Sequence, residues 1–293
     1  MVIQRLNLRG ATMENEELRK LQLYQLDILK EVDRICQKHH IKYYISWGSL
    51  LGAVRHKGFI PWDDDIDISL FWDDYVKFME VCQEELDERF FLQNPETDSG
   101  YFRPWAKVRI NDTTSMDKEL DFVKMHWGIC IDVFPIISIP TKKSKQRYQK
   151  VLIILYQIMC FEPLIRSMVK DNKSLKGYLR ACLYIPYIGF SIIPSKLKRA
   201  VKKRILQKII DLQEKKSPLC GEALSMNYEK SIVPTQMYGE PVRVEFEGQE
   251  FNAPEKYIDY LTNFYGDFMK LPKESERTGH GDTIISFEYQ ANK

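Results

Sequence analysis

The chain has 293 residues, 44% hydrophobic and 29% charged, enough to bury the core of one large domain with an appended lobe. A net charge of +2 gives no overall basic character of the kind that marks a nucleic-acid binder. The six cysteines, Cys36, Cys82, Cys130, Cys160, Cys182 and Cys220, form no C-x-x-C pair, which argues against a zinc knuckle or redox dithiol and points to a reducing compartment.

Residues 1–13 read as a flexible polar N-terminus with no apolar stretch of signal-peptide length, and Met13 is an alternative start, so no export is expected. From Glu14 to His39, Leu18, Leu21, Tyr24, Ile28, Val32 and Ile35 recur every three or four residues and predict an amphipathic helix. Lys42 to Trp47 reads as a strand, after which Gly48-Ser49 opens a helical run over Leu50 to Arg55. A turn through Gly58 and Pro61 leads to a strand at Ile66–Leu70, then to a helix over Asp74–Leu86 with Tyr75, Phe78, Met79 and Cys82 on one face. Arg103–Ile110 and Gly128–Phe134 predict two more strands, the second apolar except for Asp132 at its middle. Residues 14–140 are thus α/β in pattern.

The character changes over 141–216, where 19 basic residues face 4 acidic ones and apolar runs at Val151–Phe161 and Ala181–Ile193 alternate with basic clusters such as Lys196, Lys198, Arg199, Lys202, Lys203 and Arg204. These runs fall short of the roughly 20 apolar residues a spanning helix needs. They predict a mostly helical lobe suited to an anionic membrane surface, with a solvated helical lobe as the plainer reading. Residues 217–293 carry turn and strand signals around Gly239, Pro241 and Gly248, a helix near Tyr257–Phe264 and a polar tail with His280, and are expected to complete the catalytic domain.

Four carboxylates fall within five positions in Asp63-Asp64-Asp65-Ile66-Asp67. On an extended chain Asp63, Asp65 and Asp67 share one side at roughly 6.5 to 7 Å per two residues. An Asp-x-Asp pair of this kind suits Mg²⁺ (or Mn²⁺), which takes a few carboxylate oxygens plus phosphate and water. Alone it is more often a solvated acidic turn, or a calcium loop without the later Glu and spacing of an EF-hand. Upstream, however, Gly48-Ser49 begins a helix, where backbone N–H groups and the positive dipole end receive phosphate.

The order strand, Gly-Ser, helix, Asp-x-Asp strand looks like the nucleotidyltransferase fold, with Asp132 suitably placed as its third carboxylate. The run Gly48-Ser-Leu-Leu-Gly-Ala-Val-Arg-His-Lys-Gly-Phe-Ile-Pro-Trp-Asp-Asp-Asp-Ile-Asp-Ile68 strongly resembles the signature of the LicD family. The likeness extends through Phe102–Arg109, Gly128–Pro135, Tyr265–Met269, Pro272 and His280. It implies an α/β (α+β) nucleotidyltransferase-fold core with a mixed sheet. It also implies metal binding by Asp65 and Asp67 with help from Asp132, and phosphate contact at Gly48 and Ser49. The implied activity is transfer of a phosphoryl-alcohol group from a CDP-alcohol donor, phosphocholine from CDP-choline being the best-known cargo, to a lipid-linked glycan acceptor. No nucleic acid is expected as partner, and the expected location is the cytoplasm, peripheral at the inner face of the cell membrane.

Asp132 and the exposed Asp63 are the candidates for accepting the acceptor's proton, and the sequence leaves the choice open. Arg55 and Lys57 are candidate phosphate contacts from the intervening loop, and Lys107 and Arg109 alternate onto one face of their strand. His280 matches a family position, though a lone terminal histidine is more often structural. Trp47, Trp62, Trp72 and Trp105 flank the motifs and offer faces for a choline ammonium, or simply pack the core. A nucleotidyltransferase using a nucleoside triphosphate and a non-catalytic membrane-associated scaffold are the competing readings; glycerol or ribitol phosphate are the competing cargoes.

Overall fold

A computed structural model describes residues 15–163, 194–225, 227–277, 279 and 283–287. The apolar run at 181–193, His280 and residues 1–13 lie outside the described residues. Helix α1 (Asn15–Lys38) leads through β1 (Tyr44–Ile45) into α2 (Trp47–His56), β2 (Asp67–Phe71) and α3 (Trp72–Glu85). Strands β3 (Phe90–Gln93), β4 (Ala106–Ile110), β5 (Thr114–Asp117) and β6 (Cys130–Ser138) follow. Helices α4 (Lys143–Cys160) and α5 (Ser195–Asp211) are the described helices of the basic segment. The chain then adds β7 (Leu219–Gly221), α6 (Tyr228–Ser231), β8 (Ile232–Pro234), the β9–β10 ribbon (Val242–Phe246, Gln249–Ala253), α7 (Tyr257–Tyr265) and β11 (Thr283–Ser286).

The main sheet runs β1-β2-β6-β4-β3, with β7 joined to the far end of β6 and β8 to β7. Among the described residues only the β2–β6 pairing in it is parallel, so the sheet is mixed. Its strands are short alternating runs whose inward residues, Ile68, Leu70, Val108, Ile131 and Val133, are buried against the α1 stripe of Ile28, Leu29, Val32 and Ile35. Each such side chain contributes about 1.5–3 kcal/mol relative to exposure. The C-terminal segment is part of the same core, through Val233, Tyr238, Phe246, Phe251 and Tyr260.

Most sequence-predicted elements are present with shifted ends. The helix expected from Leu50 begins at Trp47, so Gly48 and Ser49 lie in its first turn. The strand expected at Lys42–Trp47 is confined to Tyr44–Ile45, and at its end Trp47 takes a left-handed φ of 49° that stops extended structure. A second core joins α4 and α5 to the end of β6, through Ile137, Ile139, Leu152, Ile153, Tyr156, Ile209, Ala223 and Leu224. Helix α4 is apolar on both sides: Leu152, Ile153, Tyr156 and Met159 are buried, while Tyr148, Val151, Ile154, Leu155 and Ile158 are exposed. Among the described residues no helix is long and apolar enough to cross a membrane.

Candidate active site

Strand pairing sets the geometry. Asp67 lies opposite Asp132 across the parallel β2–β6 pair, and Lys107 lies opposite Asp132 across β6–β4. Three charged residues therefore form a row across adjacent strands. Lys107 Nζ contacts both Asp132 oxygens, at 2.7 and 2.8 Å, and the Trp105 indole N–H donates to Asp132 Oδ1. Burial works to raise the Asp132 carboxyl, but the Lys107 charge and the bonds from Lys107 and Trp105 hold it below the ordinary carboxylate range. Asp67 goes the other way: burial and then repulsion from Asp65 and Asp132 push it well up.

Asp65 and Asp67 face a cleft of about 560 Å³ while the intervening Ile66 is fully buried, which is the expected alternation. Asp63 departs from it. The chain turns at 60–63, where the Asp63 N–H donates to the Ile60 carbonyl, and Gln22 and Gln25 of α1 donate to the Asp63 and Asp64 carbonyls. Extended structure thus starts after Asp63, whose carboxylate lies over Gly48, and Asp64 rather than Asp63 lines the cleft. A Cβ on Gly48 would stand 2.6 Å from Asp63 Oδ2, so the close approach requires glycine unless Asp63 moves.

Ser49 is buried, and its hydroxyl accepts from the Asp67 N–H at 2.8 Å, tying the start of α2 to the start of β2. Trp47 is held from beneath: its indole N–H donates to Glu222 at 2.6 Å, and Glu222 also takes the Ser69 hydroxyl at 2.5 Å. Glu222 is fully buried, which pushes its carboxyl up to about 7 against the bonds from Ser69, Trp47 and Tyr238. The Tyr265 phenol is pushed up by burial and by the charges of Asp67, Asp63 and Asp65.

Lys107 and Arg109 both line the cleft, as their alternation predicts. Arg109 is 2% exposed and spends its donors on Gln93 Oε1 and the Gly128 carbonyl, which makes it a brace of the cleft wall. Arg55 donates to the Phe268 carbonyl at 2.9 Å, and burial lowers its pKa. Lys57 is exposed and caps the far end of α2 with φ 60°, so the helix carries it about 14 Å from Gly48 at 1.5 Å per residue. It therefore does not reach the cleft. Gly279, the described neighbour of His280, lies against Asp64.

The four flanking tryptophans do not converge. Trp47 packs on Tyr260 and Phe264, Trp72 stacks on Tyr75, Trp62 takes Arg277 on its ring and Trp105 takes Arg103, each at 5.2 Å. Only Trp105 of these lines the cleft. Sequence reasoning missed Arg103, Trp127 and Gln25, which line it too, and Glu222 beneath. Gln25 had a signal: with Leu18, Leu21, Ile28 and Val32 it continues the buried stripe of α1, where a polar residue needs a reason.

Among the described residues no three histidine, cysteine or carboxylate side chains form a ready metal cage. The set present fits a cation differently. Asp65 and Asp67 bring more negative charge to the cleft than Lys107 balances, as the raised Asp67 carboxyl reflects, and two carboxylates suit a hard cation that completes its shell with phosphate and water.

Residues 40–151 match the family model described as LicD/FKTN/FKRP, nucleotidyltransferase domain. The chain is 30% identical over 276 residues to the lipopolysaccharide cholinephosphotransferase LicD of Haemophilus influenzae, covering 92% of this chain and 97% of that protein. It is also 34% identical over 67 residues to the ribitol 5-phosphate transferase FKRP of Homo sapiens, 22% of this chain and 14% of that one. An uncharacterised protein of Rickettsia typhi is 46% identical over 65 residues, 22% of this chain and 20% of that one.

Proposed function

The chain belongs to the LicD family and is a phosphotransferase of that family, and from this premise we propose that it moves phosphocholine from CDP-choline to a sugar hydroxyl of a lipid-linked cell-surface glycan. The observation that carries the reading is the row Asp67, Asp132, Lys107 across three strands beside the Gly48-Ser49 helix start. Choline leads glycerol and ribitol because the match to the cholinephosphotransferase runs nearly end to end, whereas that to the ribitol 5-phosphate transferase covers one segment.

In this reading the N–H groups at Gly48 and Ser49 receive the donor diphosphate at the α2 N-terminus. Asp65 and Asp67 would hold Mg²⁺ or Mn²⁺, with Asp132 adjoining; the ion would polarise phosphoryl oxygens and offset charge on the departing CMP. The sugar oxygen forms the new bond to the phosphocholine phosphorus, the bond to the CMP oxygen breaks, and the hydroxyl proton passes to a carboxylate. Asp132, in the cleft, is better placed for that proton than Asp63, which lies over Gly48. Lys107 and Arg103 add positive charge on the same wall. The exposed apolar side of α4, beside the lysines of α4 and α5, supports contact with an anionic membrane, where a lipid-linked acceptor is presented.

The test is CMP release from CDP-choline, CDP-glycerol or CDP-ribitol by purified protein with Mg²⁺ and a lipid-linked glycan extract, against CTP and ATP. CMP from CDP-choline, lost with chelator and in Asp65→Asn/Asp67→Asn, is expected. Pyrophosphate from CTP or ATP would move the assignment to nucleotidyl transfer, and silence with a suitable acceptor would sink it.

A further inference from the structure

The walls of the cleft include Asp65, Asp67 and Asp132, whereas Gly48, Ser49 and Asp63 do not line it, so the phosphate-receiving turn lies outside its walls. One wall is the β5–β11 ribbon, in which Asp117 pairs with Thr283 and Ser115 with Ile285. Cross-strand partners share a face, as do residues two apart, so Ser115, Asp117 and Thr283 lie on one face together with Ile285; Ile285 is buried in the core beside Leu18 and Leu21, and the three polar residues line the cleft. Trp127 stands beside them, half-buried, with its indole N–H fixed to the Val123 carbonyl at 3.0 Å.

Gln25 supplies an independent observation. It is 4% exposed and lines the same cleft, and its Nε2 donates to the Asp64 carbonyl at 2.8 Å and the Cys130 carbonyl at 3.3 Å. Those two bonds fix the amide, because the flipped form would set its oxygen against two carbonyl oxygens. Gln25 Oε1 is left buried with no partner. A buried acceptor in a cleft calls for a ligand that donates hydrogen. Ionised phosphate and a quaternary ammonium carry no such hydrogen; a sugar carries several, and the donor's own ribose and cytosine amine are the alternative that competition with CDP separates. An aromatic plane with a few convergent polar groups is how a site of this size fixes the orientation of a small ring.

We infer that this cleft is the subsite for the accepting sugar: Gln25 Oε1 takes one ring hydroxyl, the Ser115, Asp117 and Thr283 face takes others, Trp127 lies against the ring, and the hydroxyl to be modified is directed at Asp132. The inference rests on the transfer proposed above and adds to it the place where the acceptor binds.

Saturation-transfer NMR on the full chain, with methyl hexosides and methyl N-acetylhexosaminides as probes, tests it without turnover. At least one glycoside is expected to bind, to stay bound when CDP is added to saturation, and to lose its signal several-fold in Gln25→Leu and in Thr283→Val, with CDP binding unchanged. Thr283→Val keeps a β-branched residue in the ribbon, so its result stands even if Gln25→Leu loosens the 63–65 turn. Displacement of the glycoside by CDP would make the cleft the donor's and overturn the inference. Binding by no glycoside, or signals untouched in both variants, would overturn it equally. In turnover, both variants are expected to raise the acceptor KM about tenfold, the size of one lost hydrogen bond, and leave the donor KM in place. Absence of CMP release by the unmodified protein would count against the transfer reading alone, since the glycoside measurement reads the cleft directly.

Discussion

On the sheet face, charges are buried and individually held, whereas on the α4–α5 lobe they stand at the surface beside exposed apolar side chains. Asp132 is gripped by Lys107 and Trp105, Arg109 by Gln93 and Gly128, and Glu222 by Trp47 and Ser69. On the lobe, Lys145 and Lys150 reach Glu214 and Glu229 in solvent, and Tyr148, Val151, Ile154, Leu155 and Ile158 are uncovered. Removing charges from water is costly and stabilises a fold poorly, so a row of them on central strands is retained for what it does. Exposed pairs contribute little and leave the lobe adaptable.

The sharpest way to break this contrast is to remove a charge from the row. Asp67→Asn keeps the shape and relieves the repulsion from Asp65 and Asp132, so thermal stability is expected to hold or rise while CMP release falls by roughly 10³-fold. Loss of folding together with activity would make Asp67 structural. Lys107→Met comes next. Without the ammonium group the Asp132 carboxyl rises, so the acid limb of the pH–rate profile is expected to move to higher pH, with a fall in kcat of roughly 10²-fold. An unmoved acid limb would remove Asp132 from the proton-transfer step.

How much of this is legible in the sequence follows from the range of each interaction. The α1 stripe, the Gly48-Ser49 helix start and the Asp65, Ile66, Asp67 alternation are local patterns, and each is present. That Asp132 meets Asp67 depends on a parallel register no local pattern encodes, and the family likeness supplied it instead. The β5–β11 ribbon joins segments at positions 114–117 and 283–286, and neither has the alternation that marks a strand. Asp63 was misplaced because strand spacing was extended backwards through a turn held by Gln22 and Gln25. Glu222 gave no sign at all, since a single glutamate in a turn acquires its role only when Trp47 and Ser69 fold over it.

Glu222 gives a smaller, stability-based test on the same face. Its folded carboxyl is raised to about 7 from 4.5 by burial, so the folded state holds a proton that the unfolded chain releases between those values. The stabilisation is complete below about pH 4.5 and is lost as pH rises through about 7, an effect of order 3 kcal/mol. Glu222→Gln is expected to flatten the fall in Tm across that range. An equal slope in the variant would show that other groups govern it.

The smallest expected effect lies on the lobe, where no single side chain is essential. Val151 and Leu155 are one helical turn apart on the exposed side of α4, opposite the buried Leu152 and Tyr156. Val151→Asp/Leu155→Asp removes apolar area and adds two negative charges without touching either core. Cosedimentation with vesicles containing anionic phospholipid is expected to weaken about tenfold, and turnover on a short soluble acceptor to stay as it was. Vesicles of neutral lipid separate the two contributions: the unmodified protein should bind them more weakly, because the lysines and arginines of α4 and α5 then have no charge to meet. If the double variant binds anionic vesicles as tightly as the unmodified protein, the exposed side of α4 is not the membrane contact, and the contrast between fixed and adaptable charge loses its functional meaning.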